Sequence, residues 1–375
     1  MPAAPPPSVV PVHPRVKEVF GTLVLPGRVR LGGAFGYASE IEDPGGDYAR
    51  LLGCLDGEHD LDDLDDALRG RLTREEIVDA LTTLVEAGYV EDADAAVPSI
   101  LSPDELQRYK ANINFFSTLP GVRSKYETQA RLKQTTGVLF GLGGIGSNVC
   151  TALVELGIGR LVAVDFDNVE LSNLNRQVLY STPAVGRPKA EVAAERIQAF
   201  NPDVDFAARA LRMTSLDDLR GVLDASAPDF VVNLADKPNG FIDHWVNQAC
   251  VERRIALFAA SIFCGVGTAY SVDTPGTTAC YACRVAHELA ATPALAEELE
   301  GVRSTDHNDA NGALGLACMF QAYMVASEIL RHLIGFAAPV TRDRTLEIDF
   351  LTFEQTWHSF DRRLDCEVCG TAPAR

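Results

Sequence analysis

The sequence predicts an α/β protein, an open-sheet domain preceded by a small winged-helix-like domain. Three observations predict it. From Gly137 to Asp165 the chain reads as an apolar strand, a glycine turn, an amphipathic helix and a second apolar strand ending in an acid. Further on, FVVNLAD and IALFAASIFCGVGTAYSV supply more apolar segments suited to the interior of a sheet. Residues 16–95 differ from both, with short alternating apolar segments broken by Pro-Gly and Gly-Gly and then three helical patterns.

The elements follow in chain order. Residues 1–15 are proline-rich and are expected to be a disordered tail. Residues 16–95 are expected to form three small antiparallel strands and three helices. In the last helix Ile77, Leu81 and Leu84 make one face, Gly88 stops it, and Tyr89-Val90 starts a closing strand. Residues 96–136 read as a linker and arm, in which Ser102, Pro103 and Glu105 open a capped helix. Residues 137–375 form the larger domain. VRSTDHNDANG reads as a surface loop over its site, with His307 and Asn308 within reach of a substrate, and EIDFLTFEQTWHSF as an alternating strand pattern.

Bulk composition excludes several functions. With 375 residues and a formal charge of −19, neither nucleic acid nor an anionic membrane is expected as the main partner. No apolar run reaches the roughly 18–20 residues a membrane helix needs, and the N-terminus lacks the blocks of a signal peptide. The nine cysteines include several inside apolar segments (Cys150, Cys250, Cys318), the usage of reduced thiols in a cytoplasmic protein.

The glycine turn contains Gly141, Gly143, Gly144 and Gly146. Glycines let backbone approach a phosphate, and the helix start offers unpaired N–H donors and a positive dipole end. Asp165, at the end of the second strand, is placed to take ribose hydroxyls. A glycine motif alone would suit a dinucleotide. Here a polar stretch follows, with Asp167, Ser172, Asn173, Asn175, Arg176 and Gln177, and then Lys189 in GRPK. Cations and amide donors there suit a triphosphate being cut, because charge builds on its oxygens. Asp236 ends the strand FVVNLAD, where one carboxylate can hold magnesium against phosphates.

GLGGIGSN, DFDNVELSNLNRQ and GRPKAE resemble the ThiF/MoeB family of ubiquitin-activating-enzyme-like adenylyltransferases, over about Arg108 to the C-terminus. The resemblance implies a Rossmann-like adenylation domain that uses ATP, with Gly144 and Asp165 holding adenosine and ribose and Ser172 to Arg176 and Lys189 holding phosphates. It also implies a homodimer. RYKANINFF resembles the family's arm, but Ala111 stands where an arginine reaches the other subunit's site, so that arginine is either absent or supplied elsewhere, by Arg123 or Lys125. LADKPNGFID departs from the family's usual DxxDN and is closer to the MccB-type branch, with Asp236 in the magnesium position. The small domain resembles PqqD-like recognition elements, which clamp a leader peptide along a strand edge. Its last helix carries Arg74, Glu75, Glu76, Asp79 and Glu86, too acidic for a DNA reader.

Cys280-x-x-Cys283 and Cys366-x-x-Cys369 can together hold one structural zinc. Neither pair is expected to open a helix after a strand, as redox pairs do, and His287 is the alternative fourth ligand. The expected function is therefore ATP-dependent adenylation of a carboxylate on a ribosomally made precursor peptide. The alternatives are activation of a ubiquitin-like sulfur carrier, a leader-binding scaffold with an inert ATP site, and an NAD-dependent oxidoreductase.

Overall fold

A computed structural model of the chain describes residues 10–33, 38–119, 122, 124–304 and 312–370. His307, Asn308 and Arg123 lie outside the described residues. The chain divides into two compact units, Met1–Ala130 and Arg131–Arg375.

The first unit pairs β1 (Pro14–Val16) antiparallel with β5 (Val90–Asp92), and builds a three-stranded antiparallel meander from β2 (Thr22–Leu25), β3 (Arg28–Leu31) and β4 (Ser39–Glu42). Strand structure begins before residue 16, where the sequence reading placed its first element. Pro14 and Arg15, placed in the tail, pair with Asp92 and Glu91, and Arg15 also binds the Glu91 carboxylate at 2.9 Å. Proline costs no ladder bond at the first residue of a strand. Three helices follow: α1 (Asp47–Cys54), α2 (Leu61–Ala67) and α3 (Arg74–Glu86). Capping boxes start α2 at Asp60 and α3 at Thr73. Ile77, Leu81 and Leu84 are buried as the period predicts, in a core with Val29, Leu31, Leu51 and Leu64. The arm is helical as α4 (Pro103–Arg108) and α5 (Lys110–Phe116), and Ser102 and Glu105 cap α4 reciprocally at 3.2 and 2.9 Å. Lys125 is buried and bound to Glu91 at 2.8 Å, so within this chain its charge is already taken. α6 (Lys125–Gln134) carries the chain across the boundary.

The second unit contains β6 (Thr136–Phe140), α7 (Gly144–Leu156), β7 (Arg160–Val164), α8 (Lys189–Phe200), β8 (Asp205–Arg209), α9 (Leu216–Ser226), β9 (Phe230–Asn233) and α10 (Ile242–Arg253). It continues with β10 (Ala256–Phe263), β11 (Val266–Val272), α11 (Tyr281–Ala291), α12 (Leu295–Ser304), α13 (Gly315–Ile334), β12 (Arg344–Asp349) and β13 (Gln355–Ser359). Its eight-stranded sheet has the order β13-β12-β11-β10-β9-β6-β7-β8. The five strands from β10 to β8 are parallel, and β11, β12 and β13 extend the sheet antiparallel.

IALFAASIFCGVGTAYSV forms two strands of the sheet, because Cys264 and Gly265 both take positive φ (49° and 85°), which makes a two-residue hairpin. The expected loop from Val302 begins later, because α12 runs to Ser304. Among the described residues no helix is long and apolar enough to cross a membrane.

Candidate active site

The glycine turn sits between the end of β6 and the start of α7, and backbone crowding fixes its composition. Gly141 has φ of 93°, and a Cβ there would lie 2.7 Å from the Leu234 carbonyl oxygen. A Cβ on Gly146 would lie 2.0 Å from the Gly141 carbonyl, so this glycine lets the helix close onto the turn. A Cβ on Gly144 would meet the Cys318 sulfur at 2.9 Å. Gly143 differs: a Cβ there would meet no atom within 4 Å, and it faces the cavity. That open side, at the N-terminus of a 13-residue helix, suits a phosphate.

The cavity holds about 630 Å³ and is lined by Gly141, Gly143, Gly144, Asp165, Asp167, Asn173, Arg176, Gln177, Lys189 and Asp236. Ten of the residues expected to form the site are thus brought together from segments up to 95 residues apart. Ser172, Asn175 and Gly146 are not on its wall. They support it instead: the Ser172 hydroxyl donates to Glu170 at 3.0 Å, while Arg176 donates to the Ser172 carbonyl at 3.0 Å and to the Asn175 side-chain oxygen at 2.9 Å. Asn148 then ties this segment to α7, donating to the carbonyls of Gly144 (2.7 Å) and Arg176 (3.1 Å).

Both carboxylate oxygens of Asp165 accept backbone N–H groups, from Leu142 at 2.6 Å and from Asp167 at 2.8 Å. Burial pushes its pKa up, against the pull of Lys189 and of these two donors. Lys189, 5% exposed, donates to Asp167 at 2.9 Å. Glu170 is engaged by Ser172 and Asp243 by Asn233 (2.7 Å). Asp236 is exposed and has no hydrogen-bond or ion-pair partner among the described residues, so it is the wall carboxylate open to a cation.

The sequence reading missed the far wall, where Asn233, Asp243, Tyr270, Tyr281 and Arg284 line the same cavity. Asp243 is half-buried, and desolvation raises its pKa. Arg284 donates to Glu288 at 2.7 Å and lies over the Tyr270 ring at 4.8 Å. Arg284 directly follows Cys283, so the knuckle was a signal for this region, though not for its role.

The four cysteines converge. Sγ separations are 3.7 Å for Cys280–Cys366, 3.5 Å for Cys283–Cys369 and 4.0 Å for Cys280–Cys283. Ligands about 2.3 Å from a tetrahedral zinc would stand roughly 3.8 Å apart, so this buried set fits one zinc ion. The Arg363 N–H points at the Cys283 sulfur from 3.4 Å. His287 is exposed and outside the cluster. One expectation fails, because Cys280 is the N-cap of α11 and the first pair does open a helix. Convergence of all four sulfurs, rather than helix position, is what favours a metal over a redox pair.

Residues 109–370 match the ThiF family. The chain is 33% identical over 280 residues to a sulfur carrier protein adenylyltransferase of Thermus thermophilus, covering 72% of this chain and 93% of the relative. It is 29% identical over 273 residues to the molybdopterin-synthase adenylyltransferase of Escherichia coli, covering 72% and 98%. A crystal structure of E. coli MccB with ATP superposes with a TM-score of 0.74 at 20% identity, covering 95% of this chain and 99% of that one. SeMet PaaA superposes with a TM-score of 0.71 at 21% identity, covering 92% and 100%. With the family matched over residues 109–370 and a sulfur carrier protein adenylyltransferase 33% identical across 72% of it, the chain belongs to the ThiF family and is an ATP-dependent adenylyltransferase.

Proposed function

We propose that the protein adenylates a carboxylate of a ribosomally made precursor peptide. A carboxylate oxygen attacks the α-phosphorus of ATP, the bond to the β-phosphate breaks, and pyrophosphate leaves with the electron pair, giving an acyl-adenylate. Positioning and electrostatics carry such a step. The open Gly143 edge and the α7 N-terminus receive phosphate, while Arg176, Asn173 and Lys189 offset charge on the pyrophosphate side. Asp165 holds the ribose while it braces the turn. Asp236 would hold magnesium, which when bound supplies charge neutralisation to the phosphates. Zinc at the four cysteines is structural, since four thiolates leave no open position.

The peptide reading is carried by the first unit. Its β2 strand is a sheet edge with exposed apolar side chains, Leu23 (54%) and Val24 (62%), a template on which an extended peptide can add a strand. The MccB structures that cover nearly all of this chain include one with ATP and one with N-formylated MccA. The curated relatives cover 72% of it and favour a second reading, in which the acyl substrate is a sulfur carrier. The protein is proposed to act in the cytoplasm as a homodimer, which would cover the exposed Leu316, Leu351 and Phe353.

ATP–pyrophosphate exchange separates the two readings. A short precursor peptide should stimulate exchange, and a carrier ending in Gly-Gly should not. The reverse result would replace the peptide reading with the carrier reading.

A further inference from the structure

Bringing a carboxylate up to a triphosphate sets like charges against each other. A cation is therefore needed on the acyl side, separate from those that hold phosphate. Arg176 and Lys189 lie on the phosphate side, and Lys189 already neutralises Asp167.

The sheet register shows where the acyl side is. Val164, Phe140, Asn233, Ala259 and Tyr270 form one row across β7, β6, β9, β10 and β11. The phosphate turn follows Phe140, while Tyr270 stands three strands away, about 14 Å at the usual strand spacing. Residues paired in register point to the same face of the sheet, so Asn233 and Tyr270 flank the small Ala259, and all three line the cavity.

Two atoms there have no partner. Tyr270 is 6% exposed and Asn233 2% exposed, and neither the Tyr270 hydroxyl nor the Asn233 side-chain oxygen has a hydrogen bond. The Asn233 orientation follows from chemistry, since its NH₂ faces the Asp243 carboxylate at 2.7 Å. Buried polar atoms left unpaired are costly and point to a missing ligand. Arg284 stands beside them. Its Nε is held by Glu288 at 2.7 Å, its plane lies over the rings of Tyr270 (4.8 Å) and Tyr281 (5.9 Å), and it lines the cavity. That arrangement fixes the guanidinium before substrate arrives and leaves its terminal N–H fork for a carboxylate.

We propose that Arg284, with the Tyr270 hydroxyl as second donor, holds the C-terminal carboxylate that is adenylated, and that the Asn233 side-chain oxygen accepts the amide N–H behind it. The chain end would then lie over Ala259, between Asn233 and Tyr270. This rests on carboxylate activation at the same cavity, and it holds for a peptide or a carrier.

The test uses the full-length protein with α,β-methylene ATP bound. A short synthetic precursor peptide is titrated as its free acid and as its C-terminal carboxamide. Wild-type protein should favour the acid by about tenfold or more. Arg284→Gln should cut that preference to about threefold or less, with affinity for the ATP analogue within about twofold of wild type, and Arg284→Lys should restore part of it. Tyr270→Phe should weaken binding of the acid with no fall in thermal midpoint, because its hydroxyl has no partner to lose. Undiminished acid preference in Arg284→Gln would overturn the proposal, and so would an equal loss of nucleotide affinity, which marks a structural role. If only the Gly-Gly carrier supports exchange, the peptide reading fails, and the same acid–amide comparison on the carrier decides the role of Arg284.

Discussion

The carboxylate of Asp165 accepts the backbone N–H of Leu142 at 2.6 Å, tying the end of β7 to the middle of the glycine turn that follows β6. One acid therefore braces the fold at the place where the proposed function puts the nucleotide. Asp165→Asn would set an NH₂ against one of two backbone donors. It should lower stability by about 1–3 kcal/mol, the usual cost of a buried donor left unpaired, and weaken ATP binding in parallel. Urea denaturation and nucleotide titration on the same variant check this, and stability equal to wild type would show the contact to be idle.

Lys189 is buried at the first position of α8 with its ammonium on Asp167. Lys189→Met keeps the stem and removes the charge. The exchange rate at saturating substrates should fall by about 10²–10³, the range for losing one transition-state donor. A loss seen only in ATP affinity would limit Lys189 to ground-state binding.

Purified protein should carry one zinc per chain by atomic emission. Cys366→Ser or chelation should remove it and lower the thermal midpoint by about 10 °C, taking a loss of roughly 3–4 kcal/mol in a domain of this size. A stable, active, zinc-free protein would sink the metal assignment.

Double substitution of Leu23 and Val24 by aspartate on β2 should raise the peptide KM by about tenfold or more while leaving ATP affinity unchanged, because it places charge where the peptide strand would lie. Unchanged peptide KM would argue against clamping at this edge.

Asp243 has its pKa raised by burial. The sign follows from linkage. A carboxyl with a higher pKa in the folded state favours folding while protonated, and that contribution is lost as pH rises through the folded value. Asp243→Asn retains an acceptor for Asn233 and removes the titration. Relative to wild type it should gain stability at pH 8 and lose that advantage as the pH falls below the ordinary aspartate value, about 3.9. Parallel pH–stability curves for the two proteins would refute this.

Much of this molecule is local and can be read along the chain. The glycine turn, its strands, the Ser102 cap and the Ile77–Leu81–Leu84 face depend on residues within a few turns of one another, where periodicity and steric rules act directly. The two Cys-x-x-Cys pairs were also legible, because thiolate spacing states its own chemistry. The start of β1 was not, since Pro14 becomes a strand residue only by pairing with Asp92, 78 positions away. Nor was the acyl wall. Tyr270 and Asn233 look like ordinary strand residues in sequence, and Arg284 like a surface cation. Only the register across β9, β10 and β11 places the two unpaired atoms on one face, and only packing of α11 against it brings Arg284 alongside. Sequence determined the proposed nucleotide side, where the glycine turn depends on short-range backbone geometry. Tertiary structure decided the substrate side, because side chains from distant strands and a helix meet there only when the sheet is complete.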